Sequence, residues 1–109
     1  MVGAPALTRS TAIESYAAQS AMQDGTAHVA HEHVNQSPPS GTWGENEITW
    51  WPVVMYQSTR EVIQSGLARM WDEGSGGGHY RNMVATLFTQ MGCGVYIANG
   101  EITVTQDFQ

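Results

Sequence analysis

Four histidines carry most of the chemistry that this sequence offers. His28, His31 and His33 are grouped in its first half, and His79 stands apart in its second half. Neutral imidazole is a common ligand of zinc, so the group invites a metal-binding interpretation. His31-Glu32-His33, however, lacks the spacing of the helical His-Glu-x-x-His motif, in which both ligands share one face of a helix. The group alone fits no zinc motif, and solvated loop histidines are the alternative interpretation.

His79 is placed by the loop before it and the helix after it. The segment Gly74–Gly78 contains four glycines, which predicts a flexible loop. The apolar residues that follow have helical spacing: Tyr80, Met83, Val84 and Leu87. His79 should therefore lie at the start of a short helix, where unpaired backbone N–H groups favour anions or carboxylates.

A β-hairpin is predicted near the C-terminal end. Asn99-Gly100 suits the two-residue type I′ turn, because both of its residues need a positive φ. Val95 and Ile97 share one face before the turn, and Ile102 and Val104 share one face after it. Each strand should bury one face and leave the other polar or half-covered.

Two further helices are indicated by capping boxes, in which Ser or Thr is followed three residues later by Glu. Thr11–Glu14 begins the first helix, which Gly25 should end. Ser58–Glu61 begins the second, which should end near Asp72 or Glu73. The predicted apolar faces are Ile13, Tyr16, Ala17, Ser20 and Ala21 in the first helix, and Ile63, Leu67, Met70 and Trp71 in the second.

An aromatic and aliphatic run, Ile48 to Tyr56, precedes the second helix. Pro52 argues against a central strand there, so a short helix or a loop over the core is predicted. Trp50 and Trp51 are adjacent. They would belong to the core or a lid if buried, and would mark a binding surface if exposed together.

Composition limits the possible partners. The 109 residues suit one domain, spanning 1–109. Ten acidic and four basic residues, with no lysine, give a net charge of −6, so nucleic acid is an unsuitable partner and an anionic membrane would repel the chain. Cys93 is the single cysteine, expected as a small buried hydrophobe. Met1 to Arg9 lacks the pattern of a signal peptide, and no segment has the ~20 apolar residues of a membrane span.

Four segments, in this order, resemble the CAP superfamily of cysteine-rich secretory proteins, antigen 5 and pathogenesis-related 1 proteins. They are Gly44-Glu45-Asn46, Gly78–Val84, Met91–Val95 and Thr105–Phe108. The resemblance implies an α+β fold, a three-layer α-β-α sandwich with a small antiparallel sheet ending in the C-terminal hairpin. The chain is similar to the bacterial SCP-like type, with a short N-terminal part. Its lack of disulfides favours a bacterial or phage origin.

The resemblance also implies a cleft with two histidines. His79 takes the second histidine position, and His33 is expected at the first because of its distance from the Gly-Glu-Asn motif, with His31 as the fallback. Two neutral imidazoles can hold zinc or another divalent metal at two corners of a tetrahedron. Water or a ligand would fill the other corners, so the site would be open.

Two acids complete the implied cleft. Glu45 takes the first acidic position, next to Asn46, and Glu73 is expected at the second, with Asp72 as the alternative. Such carboxylates would orient an imidazole or accept a proton from metal-bound water. The structural alternative is that these polar groups only close the cleft by pairing with one another.

For function, the resemblance implies an extracellular or cell-envelope protein that binds a small lipophilic molecule, of the sterol or fatty acyl type, or a protein partner. Trp50, Trp51 and Met55 are the predicted lining of the ligand groove. One alternative is a metal-assisted hydrolase or peptidase that uses Glu45 and Glu73 in the same cleft. The other is a non-catalytic protein-interaction module.

Overall fold

The computed structural model describes residues 7–56 and 58–109. Residues 1–6, which belong to the segment without the pattern of a signal peptide, and Gln57 lie outside the described residues. The strands are β1 (Thr8–Arg9), β2 (Gly44–Pro52), β3 (Gln90–Ala98) and β4 (Glu101–Phe108). The helices are α1 (Thr11–Ala27), α2 (Glu32–Gln36), α3 (Thr59–Asp72) and α4 (Gly78–Val84), with 3₁₀ turns at Val53–Met55 and Gly74–Gly76.

The four strands form one sheet in the order β1-β3-β4-β2. The predicted hairpin is confirmed, since β3 and β4 pair antiparallel and the turn residues Asn99 and Gly100 have φ angles of 54° and 76°. β2 pairs antiparallel with the other side of β4. The short β1 pairs parallel with β3, so the sheet is mixed rather than purely antiparallel. A parallel pair is possible here because the chain between these two strands is long.

Helix α1 packs closely on one face of the sheet because glycines in β3 present no side chains to it. A Cβ at Gly92 would overlap the backbone of Ile13, and a Cβ at Gly94 would overlap that of Ala17. The Thr105 hydroxyl in β4 donates a hydrogen bond of 2.5 Å to the Ala17 carbonyl. The buried residues of α1 are Ile13, Ala17, Ser20, Ala21 and Asp24, so its predicted face is largely confirmed.

The ends of α1 differ from the prediction. Ser10, not Thr11, is the N-cap, and its Oγ accepts a hydrogen bond from the Ile13 N–H at 3.2 Å. The helix continues through Gly25, where a Cβ would lie 3.1 Å from the Thr103 hydroxyl. Gly25 therefore serves close packing on the sheet instead of ending the helix.

Helix α3 lies on the opposite face, which completes the predicted α-β-α arrangement. Ser58 is its N-cap, as predicted, and accepts from the Glu61 N–H at 3.1 Å. Its buried stripe is Val62, Gly66 and Met70, because Gly66 leaves room for the Ile48 side chain. Ile63 and Leu67 are only partly buried and Trp71 is exposed. Of the predicted stripe, Met70 is therefore correct, and each of the other three residues lies one position after a buried residue. The core cluster is Ile48, Val62, Met70, Ile102 and Val104.

The α3 side of β3 is less well covered. The core residues that α3 buries come from β2 and β4, and β3 lies beyond them in the sheet. Val95 and Ile97 are consequently 40% and 53% exposed. Cys93, on the same face, is exposed as well, so its expected burial was wrong.

The run from Ile48 to Tyr56 is the predicted short helix only at Val53–Met55, which form a 3₁₀ turn. Its first part belongs to β2, an edge strand that ends at Pro52, where a proline is tolerated. The pairing with β4 is irregular between Ile48 and Trp51, and Trp50 in this bulge has a φ of 54°. No helix in the described part of the chain has the length and apolarity needed to span a bilayer.

Candidate metal centre

A polar cleft lies beside β2, at the edge of the sheet where residues from both helical layers can meet. Four of the residues predicted from the sequence line it: His31, Glu45, Glu73 and His79. The volume of the cleft is about 490 Å³. His31 precedes α2 and Glu45 lies in β2, whereas Glu73 and His79 flank the glycine loop between α3 and α4. Asp72, the alternative acid, is exposed and does not line the cleft.

Each histidine of the cleft is held by a carboxylate at Nδ1. A hydrogen bond of 2.7 Å joins His31 Nδ1 to Glu45 Oε2, and another of 2.7 Å joins His79 Nδ1 to Glu73 Oε2. Glu73 Oε1 also accepts from the His79 backbone N–H at 3.1 Å. The bond with Glu45 raises the pKa of His31, and the bond with His79 lowers the pKa of Glu73. Neither Nε2 is hydrogen-bonded by any described residue, so both are available to a ligand.

His33, expected as the first histidine, does not line the cleft. Its side chain is buried under α1, where Nδ1 forms a hydrogen bond of 2.7 Å with Ser20 Oγ and the ring lies 4.5 Å from that of Tyr16. The fallback, His31, occupies the cleft instead. The cause is the backbone of His31, which is left-handed, with a φ of 58°, immediately before α2. Because of this turn, the side chains of His31 and His33 point in different directions.

The remaining histidine of the group also points elsewhere. His28 stacks on Trp50 at 4.8 Å and its Nε2 pairs with Glu101 Oε1 at 2.6 Å. The three histidines between 28 and 33 therefore do not form one metal site. Each belongs to a different set of contacts.

Asn46 fixes the position of His79 relative to the sheet. Its fully buried side chain donates to the His79 carbonyl at 3.2 Å and to Gln106 Oε1 at 3.1 Å. Its own oxygen accepts from Asn82 Nδ2 at 3.0 Å. Because Asn82 lies in α4 and Gln106 in β4, this network ties the helix that carries His79 to two strands.

A group of buried carboxylates lies next to the cleft, on the α1 face of the sheet. Carboxylate oxygens of Asp24, Glu45 and Glu47 lie within 4.8 Å of one another. Asp107, which pairs with Glu45 across β2 and β4, adds a fourth acid. Each of the four has one buried oxygen that no N–H or hydroxyl group of the described residues reaches. Glu47 with Asp24, and Asp107 with Glu45, can hydrogen-bond through these carboxyls when one member of the pair keeps a proton.

The electrostatics of this acidic cluster follow from the burial of four carboxyl groups that have one salt-bridge partner, His31, among the described residues. Burial, hydrogen bonding with Asp24 and the charge of Asp24 raise the pKa of Glu47 to about 10. Burial and hydrogen bonding with Glu45 raise the pKa of Asp107 to about 9. Burial and the same negative charges raise the pKa of Tyr16 to about 12. The region thus favours a proton or a cation over a further negative charge.

Comparison with known proteins agrees with this architecture. The family model described as the cysteine-rich secretory protein family, CAP, matches residues 1–108. The chain belongs to the CAP family. A search of curated proteins found no match. Among solved structures, the crystal structure of NaASP2 with Zn²⁺ is similar, with a TM-score of 0.66 and 18% identity. The alignment covers 96% of this chain and 60% of NaASP2, so the chain spans somewhat less than two thirds of that neighbour.

The groove predicted from Trp50, Trp51 and Met55 is not formed in this CAP domain. Trp50 donates from Nε1 to the Asp24 carbonyl at 3.1 Å, on the α1 side of the sheet. Trp51 stacks on Tyr56 at 5.6 Å and packs against the core on the α3 side. The bulge in β2 turns the two indoles to opposite faces, and Met55 is 70% exposed.

Three acids of the cluster were missed by the sequence reasoning, although the sequence contains a signal for each. Asp24 continues the buried face of α1, three residues after Ala21. Glu47 shares a strand face with Glu45, two residues away. Asp107 belongs to the Thr105–Phe108 segment that carried the family resemblance. Charged residues at such core positions indicate a paired or functional group.

Proposed function

We propose that the cleft of this CAP domain binds a divalent metal, zinc in the first place, through Nε2 of His31 and of His79. The observation that carries the proposal is the pair of carboxylate–imidazole hydrogen bonds at Nδ1. A carboxylate at Nδ1 fixes the tautomer of a histidine and makes Nε2 a better metal ligand. Two such ligands leave positions of the metal free for water or a bound molecule.

The same bonds support binding over metal-assisted hydrolysis. A hydrolase of this type needs a carboxylate that can take a proton from metal-bound water. Glu45 and Glu73 are the acids of the cleft, and the carboxylate of each is already hydrogen-bonded to an imidazole. The Glu45 side chain is also only 1% exposed. The proposed role of both acids is to orient the histidines.

The zinc proposal predicts that His31→Ala and His79→Ala each weaken zinc binding by at least about tenfold, because each removes a ligand. Isothermal titration of the purified chain with zinc chloride measures this, and native mass spectrometry should show one zinc ion per chain. His28→Ala is the matched control, since His28 is a partly exposed histidine outside the cleft.

Equal zinc affinity in the wild-type chain, His31→Ala and His79→Ala would refute the proposal. So would a loss confined to His28→Ala. Circular dichroism spectra of the variants must match that of the wild type, which is expected because the side chains of His31 and His79 are 38% and 36% exposed.

A lipophilic ligand is the second proposed function, and a different surface supports it. An apolar cavity of about 250 Å³ lies between the start of α3 and the hairpin, and Val53, Tyr56, Val62, Ile97 and Ile102 help to line it. Val54 and Met55 beside it are 88% and 70% exposed. An acyl chain could enter such a cavity and cover these side chains.

Family membership also supports an extracellular or envelope location, which stays a prediction.

This second function predicts that Ile97→Thr weakens binding of a fluorescent long-chain fatty acid by about fivefold, from the loss of apolar contact area. Val95→Thr is the matched control, because Val95 lies on the same face of β3 but does not line the cavity. Fluorescence titration compares the three proteins. Absence of binding to the wild-type chain, or equal losses in both variants, would contradict it.

A further inference from the structure

We propose that Asp107 is a positioning residue for His31: it donates a retained carboxyl proton to Glu45, and Glu45 in turn holds the His31 imidazole with Nε2 free for a ligand. Asp107 does not line the cleft, so it acts on the histidine only through Glu45. The inference rests on the proposed zinc site for its effect on metal affinity. The hydrogen bonds themselves need no metal.

Asp107 lies directly beside Glu45 because of the register of the sheet. β4 is an inner strand, and Asp107 is paired with Glu45 of β2 on one side and with Gly92 of β3 on the other. Side chains of directly opposite residues in antiparallel strands lie on one face, with Cβ atoms about 4.5–5.5 Å apart. Gly92 has no side chain, so Glu45 is the cross-strand side chain that Asp107 meets.

A shared proton would join the two oxygens of this pair that lack a donor. Glu45 Oε2 forms the 2.7 Å hydrogen bond with His31 Nδ1, which leaves Oε1. Glu45 Oε1 and Asp107 Oδ2 are both buried, and no N–H or hydroxyl group of the described residues reaches either. Two ionised carboxylates side by side repel each other, whereas one proton between them turns the repulsion into a hydrogen bond.

The proton belongs on Asp107 rather than on Glu45. The hydrogen bond between Glu45 and His31 raises the pKa of the imidazole, and a carboxylate beside an imidazole gains from being negative. Among the described residues, Asp107 takes part in no salt bridge. Glu45 is therefore the acceptor of the pair and Asp107 the donor.

The surroundings of Asp107 favour the same assignment. The charges that act on it are those of Glu45 in β2 and Asp24 in α1. Its own charge would act on two further acids, Tyr16 in α1 and Cys93 in β3. Burial, the hydrogen bond with Glu45 and the two negative charges raise the pKa of Asp107 to about 9, so this carboxyl group keeps its proton at neutral pH.

The consequence at His31 is a fixed tautomer. The hydrogen bond at Nδ1 decides which ring nitrogen carries the proton, and a ring protonated at Nδ1 has its lone pair at Nε2. Without a donor at Oε1, Glu45 would keep a buried oxygen unsatisfied, which is costly. Glu45 would then turn away or take up a proton itself, and either change weakens its bond with His31.

The second histidine of the cleft is held without such a chain of residues. Glu73 accepts from both the backbone N–H and Nδ1 of His79, and its side chain is 32% exposed. Glu73 is thus positioned by the start of the helix that it binds. Asp107 should have no influence on His79, which makes this histidine an internal control.

Nuclear magnetic resonance of the metal-free wild-type chain tests the retained proton without any substitution. The carboxyl carbon of Asp107 should have the chemical shift of a protonated acid at neutral pH, and the shift should change only as the pH approaches about 9. An ionised Asp107 at neutral pH would overturn the inference, even if variants of this buried residue failed to fold.

Two substitutions separate a donor from a merely structural side chain. Asp107→Asn keeps a donor for Glu45 at nearly constant volume, whereas Asp107→Val removes the donor with a residue that suits a strand. In Asp107→Val, nitrogen spectra should show a mixture of His31 tautomers, and zinc should bind about tenfold more weakly. Asp107→Asn should keep the single tautomer and bind zinc within about twofold of the wild type.

The spectra of the two rings decide the outcome. The His79 ring should be unchanged in both variants. An unchanged His31 ring in Asp107→Val, an equal disturbance of both rings, or a loss in Asp107→Asn as large as that in Asp107→Val would each overturn the inference. Because the spectra are recorded without metal, a wild-type chain that binds no zinc would refute the proposed function and leave the role of Asp107 to be decided by the rings.

Discussion

Replacing Gly94 by alanine should be among the most destabilising single substitutions in this domain, with a loss of about 3 kcal/mol or more in the free energy of unfolding. A Cβ at Gly94 would overlap the carbonyl group of Ala17 and the backbone nitrogen of Ala18. Backbone atoms cannot rotate away as a side chain can. Helix α1 would have to move off the sheet, and the bond between Thr105 and Ala17 would break.

Gly76→Ala is the matched control for this prediction. No atom lies within 4 Å of a Cβ built at Gly76, and its backbone does not have a positive φ. Urea denaturation of the three proteins measures the difference, and the control should stay within ~0.5 kcal/mol of the wild type. Equal stability of Gly94→Ala and Gly76→Ala would show that α1 does not pack on β3 at this distance.

Much of the fold could be predicted because local signals and tertiary structure agree at several places. Asn99-Gly100 needs a positive φ at both residues, and Ser58 has a side chain that caps a backbone N–H. Such preferences act within a few residues and do not depend on the rest of the chain. The buried stripe of α3 was less predictable because it includes a glycine, Gly66. This position has to be a glycine because the Ile48 side chain fills the space that a Cβ would occupy.

Distance along the sequence could not identify which histidine of the loop enters the cleft. His31 and His33 are two residues apart, and either could satisfy the distance to Gly44-Glu45-Asn46. The left-handed backbone at His31 decides between them. Histidine adopts this conformation more often than most residues do, but the sequence does not show which of two nearby histidines adopts it. The direction of Trp50 is decided in the same way, by a positive φ in a strand bulge.

The acidic cluster depends on long-range pairing, which explains why it was missed. Glu45 and Glu47 meet Asp24 only because α1 lies across the face of the sheet on which both glutamates point. Asp107 joins them because β4 pairs with β2 in a register that sets it opposite Glu45. A sequence shows four acids at distant positions, and only the register brings them to one place.

The cluster also leads to the second prediction, a loss of stability at high pH in the metal-free chain. The pKa of Glu47 is raised to about 10 from an ordinary value of 4.5. Between these values the folded chain retains a proton that the unfolded chain has released, so the free energy of unfolding must fall as the pH rises. One such group contributes a slope of up to about 1.4 kcal/mol per pH unit.

Asp107, with its pKa raised to about 9, adds a second contribution of the same sign. Both carboxyls are surrounded by acids, from Asp24 in α1 to Glu45 in β2, with His31 as the paired cation. Stability should therefore be greatest near pH 5 and fall toward pH 9 when a chelator is present.

Glu47→Gln tests this account because a neutral amide has no proton to lose. The variant should be more stable than the wild type at about pH 8, and its slope between about pH 5 and pH 9 should be roughly half as steep, since Asp107 remains. Urea denaturation in a chelating buffer across this range measures both slopes, with Asp72→Asn as the control. If the wild type instead gained stability with rising pH, its buried carboxylates would have to be ionised and compensated in the folded chain, and Glu47→Gln would then destabilise it.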